Sequence, residues 1–263
     1  MPQKLTETWF PSADEPPSDP IRAAQRAMRP ALPKRFYREA SVEERDGAFY
    51  LLLDGRPAKT PARNPLAVPT RALGEALAAE WEGQGSELDP AAMPLTRIAN
   101  SAIDGVAPRP RAVVDDLVRY AASDLVCYRA GEPERLVAEQ TAVWDPILAW
   151  ARTRLGGQFI LSQGVMHVTQ PEAAIAAVRA RLEEPLSPFR LAALHVMTTL
   201  AGSVLIALAH ADGALGLDEA WAAAHLDERF QESLWGEDEE ATRRRAAREA
   251  EFRAASKVYR LSS

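Results

Sequence analysis

Ala48-Phe49-Tyr50-Leu51-Leu52-Leu53-Asp54-Gly55 is the stretch that decides the fold. An aromatic and aliphatic run favours a strand, and Asp54-Gly55 accepts the two positive φ values of a tight hairpin turn. Just before it, Glu44-Arg45-Asp46-Gly47 reads as another turn, and residues 36–42 are β-like. Just after it, residues 56–60 form the returning strand, which Pro57 and Pro61 make an edge strand or an irregular one. Asn64-Pro65 then turns the chain again ahead of Leu66-Ala67-Val68. Successive hairpins build a small antiparallel meander. No Gly-rich loop joins a strand to a helix here, so a dinucleotide-binding or phosphate-loop reading has no support.

Residues 11–20 hold four prolines and three acids, which suits a loose arm and neither a helix nor a central strand. A short helical segment follows at 21–28, and Pro30 and Pro33 break it. From Thr70 the period becomes helical. Thr70 can cap a helix whose stripe is Leu73, Leu77 and Trp81, ended by Gly83-Gln84-Gly85-Ser86. A second helix carries Leu95, Ile98, Ala102 and Ile103, and a third carries Val113, Val114, Leu117, Val118 and Ala121. A fourth is expected over 133–155, with Pro146 either kinking it or opening a new helix capped by Asp145. Residues 158–169 interrupt the helices as a short hairpin or an extended crossing. Helices resume at 171–184, and Ser187-Pro188 opens one long apolar helix that ends at Asp212-Gly213. Asp218 is read as the cap of a helix reaching Leu234, with Gly236 ending it and a last helix over 237–259. The expected class is α+β: an extended arm at 1–33, a small antiparallel β-rich N-terminal domain at 34–70, and a larger all-helical C-terminal domain at 71–263.

The 263 residues carry a net charge of −6, so the bulk charge argues against a nucleic-acid partner. The lone cysteine, Cys127, sits in an apolar run and reads as a buried small hydrophobe. The N-terminus has no apolar signal core and is too acidic for a transit peptide, which points to a cytoplasmic protein. Residues 191–211 have the length of a membrane span. However, Thr198, Thr199, Gly202 and Ser203 dilute their hydrophobicity, so a buried helix of a soluble protein is expected, with no membrane insertion.

Catalytic signals are absent. His167, His195, His210 and His225 form no metal-binding spacing, and neither a nucleophile motif nor a cofactor motif appears. Asp115-Asp116 and Glu183-Glu184 are neighbours that point apart on a helix and read as solvated surface. Arg243-Arg244-Arg245, Arg248 and Arg253 lie among acids. Glu240→Arg244 and Glu249→Arg253 are i,i+4 pairs, so this helix reads as ion-paired rather than as a polyanion site. The densest unusual feature is F-Q-E-S-L-W-G-E-D-E-E-A at 230–241. Gly236 stops one helix, and Glu237 or Asp238 caps the next, with acids at the positive end of its dipole. Trp235 at that corner fits two readings: a roof on the core, or an aromatic with an acidic rim that grips a basic, partly apolar partner.

This run closely resembles a signature of the F1-ATP synthase assembly chaperones that act on the α subunit. The resemblance continues through K-R-F-Y (34–37), Y-L-L-L-D-G-R-P-A-K-T-P (50–61), A-x-E-W (78–81) and M-P-L-T-R-I-A-N-S-A-I-D-G-V (93–106). It extends through D-L-V-C-Y-R-A (124–130) and W-D-P-I-L-A-W (144–150), so ordered motifs span roughly 34–241. It implies a non-enzymatic, cofactor-free chaperone that binds unassembled F1 α subunit and shields its apolar interface until β subunit replaces it. It also implies a β-rich domain followed by a helical one, and a bacterial relative of the mitochondrial factor. By the same resemblance Glu240 is a functional position, with Asp238 and Trp235 in its motif, and Trp81 is sensitive to substitution. The residue pattern places Trp81 in packing. No heptad run calls for self-association, and a monomer is expected. The rival class is a small-molecule enzyme with a site in the helical domain.

Overall fold

A computed structural model describes residues 32–164, 166–236 and 238–263. The Pro-rich arm up to residue 31, including the helix read at 21–28, lies outside the described residues.

Strands β1 (Ala40–Arg45) and β2 (Ala48–Leu53) pair antiparallel across Asp46-Gly47, both with positive φ. The second tight turn, Asp54-Gly55, also has two positive φ values and returns the chain as β3 (Arg56–Pro57). Only two of the five residues expected in that returning strand pair fully. Pro57 has no N–H to donate, and the remainder is held by single contacts, such as Ala58 N–H to the Leu51 carbonyl at 2.8 Å. Strand β4 (Ala67–Val68) adds to the other end of β2. Helix α1 (Arg71–Glu82) lies on β1 and β2, opened by Thr70, whose Oγ1 accepts from the Leu73 N–H at 3.2 Å. Its Gly74 faces Val42, where an added Cβ would come within 2.9 Å, so the helix sits close to the sheet. Leu51, Leu73 and Leu77 are fully buried in the seam between them.

Nine further α-helices follow among the described residues: α2 (Pro94–Ser101), α3 (Pro110–Ala122), α4 (Glu134–Trp150), α5 (Glu172–Leu182), α6 (Pro188–Ala201), α7 (Val204–Ala211), α8 (Leu217–Ala224), α9 (Leu226–Trp235) and α10 (Glu239–Leu261). The fold is α+β, with a small antiparallel sheet followed by a helical body. Among the described residues of that body, the strands are β5 (Tyr128–Arg129) and β6 (Ser162–Gln163), a two-residue parallel pair. Segment 158–169 is therefore an extended crossing that touches β5, not a hairpin. No described helix is long and apolar enough to cross a membrane.

Two expectations need correction. The apolar helix predicted from Ser187 to Asp212 is two helices. Gly202 adopts φ +65, ending α6, and the Ser203 hydroxyl accepts from the Ile206 N–H to start α7. The helix predicted from Asp218 to Leu234 is also two, broken at His225. Its cap is Gly216, whose N–H donates to Glu219, so Asp218 lies in the first turn. Of the two readings of Pro146, the new start at Asp145 is excluded, since α4 runs through Pro146 as one helix. The chain then takes a wider π turn at Ala151–Leu155.

The break between α6 and α7 is tied from below. Asp124 is completely buried, and its carboxylate accepts from the Ser203 hydroxyl at 2.6 Å, the Leu205 N–H at 3.1 Å and the Val126 N–H at 3.2 Å. Helix α7 is buried along its length, and α10 packs along α6.

Candidate functional site

The α9–α10 corner is built by two capping events. Gly236, at φ +87, ends α9 with its N–H on the Glu232 carbonyl at 2.9 Å. Asp238 then caps α10, accepting from the Glu240 N–H at 3.1 Å through its side chain. Glu239 and Glu240 occupy the first turn, where the positive end of the dipole favours them. The corner is fastened to the body on its inner side. Phe230 is buried under the Arg135 guanidinium, Asp227 accepts from Gln140 at 2.8 Å, and Glu232 on α9 pairs with Arg245 on α10.

The outer side is left in water. Trp235 is 83% exposed and Leu234 beside it 54%. The Trp235 ring therefore does not roof the core. A side chain of that size forgoes ~1.5–3 kcal/mol of burial when left exposed. Glu240 is exposed, with Arg244 one turn on at 3.5 Å. The structure thus brings Trp235, Asp238 and Glu240 to one corner, with a bare indole above a carboxylate-rich first turn. The arrangement can bind by apolar contact and charge.

Both i,i+4 pairs expected on α10 form, Glu240 with Arg244 and Glu249 with Arg253, and contacts to other elements add to them. Arg253 holds Glu249 at 2.7 Å and Asp218 at 2.6 Å, Arg248 reaches Glu228 at 3.9 Å, and Arg97 on α2 meets Glu251 at 2.5 Å.

Trp81 is separate from this corner. Its ring contacts Thr96 on α2, whose neighbour Arg97 reaches Glu251, eleven residues and about 16 Å along α10 from Glu240. The Trp81 ring is half-buried rather than fully packed. Its Nε1–H donates to Thr96 Oγ1 at 3.0 Å, and its carbonyl accepts from the Tyr37 hydroxyl at 2.6 Å. Its exposed part borders a cavity of about 570 Å³ together with Phe36 and Tyr37. The K-R-F-Y and A-x-E-W motifs both reach this cavity, but their separation in the chain hid that juxtaposition from sequence reasoning.

The histidines do not assemble a catalytic group. His195 meets Asp116 at 2.9 Å beside an open cavity of about 580 Å³ that also reaches Asp104. Asp104 is occupied, with its oxygens accepting from Thr60, Asn64 and the Ala62 N–H, which ties the loop after β3 to the end of α2. His210 donates to the Leu215 carbonyl and accepts from Ser256, and the His225 ring lies 3.7 Å from that of Trp221. Among the described residues no group of three His, Cys, Asp or Glu could hold a metal. Cys127 is buried, and burial pushes its thiol up to about 12, which leaves it inert at neutral pH. The paired acids are less free than their sequence suggests. Asp115 takes Arg179 at 2.7 Å, and Asp116 holds both His195 and Arg119.

Comparison with known proteins places this geometry. Residues 34–152 match the family model described as ATP12 chaperone protein. The mitochondrial protein atp12 of Schizosaccharomyces pombe is 24% identical over 220 residues, covering 79% of this chain and 75% of that protein. Among solved structures, the Atu1473 protein of Agrobacterium tumefaciens is 51% identical, with TM-score 0.85 over 93% of this chain and 92% of its own. Atp12 from Paracoccus denitrificans is 40% identical, with TM-score 0.81 over 88% of this chain and 99% of its own.

Proposed function

Because this chain belongs to the ATP12 chaperone family of ATP synthase assembly, we propose that it binds the unassembled F1 α subunit and covers its apolar subunit interface until β subunit replaces it. The observation that carries this reading is the 83% exposed Trp235 at a corner whose first turn is acidic. A protein that only capped two helices there would gain by burying that ring or by using a smaller residue. A holding factor gains by leaving it free. The aromatic covers apolar client surface, and Asp238, Glu239 and Glu240 speed a salt-sensitive encounter with basic surroundings. Such a contact must be strong enough to suppress aggregation and weak enough to lose to β subunit by mass action.

In this reading the protein is a non-enzymatic, cytoplasmic bacterial factor that works as a monomer. Trp235, Asp238 and Glu240 touch the client. The test is aggregation of isolated α subunit, followed by light scattering with a stoichiometric amount of the protein. Glu240→Lys keeps its circular dichroism spectrum, because the side chain is exposed and its ion pair with Arg244 is a solvated i,i+4 contact. The same variant should suppress aggregation poorly. Full suppression by Glu240→Lys would remove this residue from the site.

A further inference from the structure

The cavity between the β2–β3 hairpin and α1 is organised like a receptor. Phe36 is 71% exposed, and its ring stands edge-on to Tyr37 at 5.5 Å, which in turn tilts against Trp81 at 5.4 Å. The polar handles of the two inner rings are turned away from the groove and satisfied, Tyr37 on the Trp81 carbonyl and Trp81 on Thr96. The two inner aromatic surfaces are therefore held before any ligand arrives, which lowers the ordering cost of binding. Leu53, Pro57 and Ala58 complete the apolar lining.

The rim is cationic. Arg56 and Lys59 line the cavity, both are exposed, and neither has an ion-pair partner among the described residues. The one acid on the rim, Asp54, already accepts at Oδ1 from the Arg38 and Glu39 N–H groups, each at 3.0 Å. The Asp54 carboxylate stays charged, so Arg56 and Lys59 leave the rim a net positive charge, and on a chain of net charge −6 that favours an acidic occupant. Rigid aromatic walls suit proline rings in an extended, preformed helix with no internal hydrogen bonds. A nucleic-acid strand fits less well. It needs a basic track for successive phosphates, and two cations beside one exposed ring do not make one.

We propose that this groove is a docking site for an extended, acidic, proline-bearing segment of a protein partner, with Phe36, Tyr37 and Trp81 as its walls and Arg56 and Lys59 as its charge anchors. The site belongs to the β-rich part of the chain and is independent of the α9–α10 corner, so it stands whether or not the client reading of that corner holds.

The test uses the full chain and a fluorescein-labelled peptide, Ala-Asp-Glu-Pro-Pro-Pro-Asp-Glu-Pro-Ala, followed by anisotropy. A version with every proline replaced by alanine, a version with every acid replaced by its amide, and a labelled oligothymidine serve as controls. Saturable binding of the parent peptide is expected, at least tenfold weaker for Phe36→Ser and for the Arg56→Glu, Lys59→Glu double variant. Both control peptides should bind at least fivefold more weakly. All three replaced side chains are exposed, so these variants fold, and Glu240→Lys should bind the peptide normally. No saturable binding, equal binding of the alanine peptide, indifference to Phe36→Ser, or a preference for oligothymidine would overturn the proposal. Concentration-dependent dimerisation abolished by Phe36→Ser would give the groove to a second copy and also overturn it.

Discussion

Asp124 is an acid buried completely at a joint of the fold. Its carboxylate joins the turn after α3 to the start of α7, and burial pushes its pKa from 3.8 to about 6 against the pull of its hydrogen bonds. A carboxyl group that titrates higher in the folded chain than in the unfolded one binds protons preferentially when folded. Its contribution is therefore full below about pH 4 and falls as pH rises through about 6. Asp124→Asn abolishes that slope, which urea midpoints across pH 4 to 6 would read. At neutral pH the same change turns an amide donor toward backbone donors and should cost ~1–3 kcal/mol. Trp81 is the second residue with a defined cost. Trp81→Ala loses ring packing and the Thr96 bond, near the lower end of roughly 3–5 kcal/mol because the ring is only half-buried. Trp81→Arg should lower soluble yield. A soluble, cooperatively melting Trp81→Arg protein that fails to protect its client would make Trp81 a contact residue instead. Neither role was fully legible in the chain. Leu73 and Leu77 announced a stripe, but the exposed edge of Trp81 depends on Phe36, 45 residues away.

At the scale of elements, the hairpins were readable because Asp46-Gly47 and Asp54-Gly55 can follow few other paths. The caps at Thr70, Ser187 and Asp238 were readable for the same kind of reason, since each offers an oxygen to an otherwise orphaned N–H. The joints within apolar runs were harder. Gly202-Ser203 interrupts a segment whose hydrophobicity is continuous, and only the left-handed φ at Gly202 with the Ser203 cap shows the break. Gly202→Ala meets no atom within 4 Å, so its penalty is backbone strain alone, about 1–2 kcal/mol. Differential scanning calorimetry should show a Tm drop of several degrees. An unchanged Tm would mean that the joint relaxes without cost. Pro146 shows the converse. A residue expected to end or kink a helix sits within α4, whose burial of Trp144 and Ile147 holds the run together.

For the whole molecule, an acidic chain with most of its α10 arginines paired presents, among the described residues, two bare aromatic features on different elements, Trp235 at the α9–α10 corner and Phe36 beside the sheet. Composition alone could not separate them from core residues, because a Trp or Phe is usually buried. The ordered motifs pointed to the first feature, and the fold revealed the second. The choice of α over β as client is tested most directly by co-purification. The full chain, tagged and mixed with separately produced F1 α or F1 β subunit, should retain α and release β, with Glu240→Lys retaining markedly less α. Retention of β and not α would contradict the account.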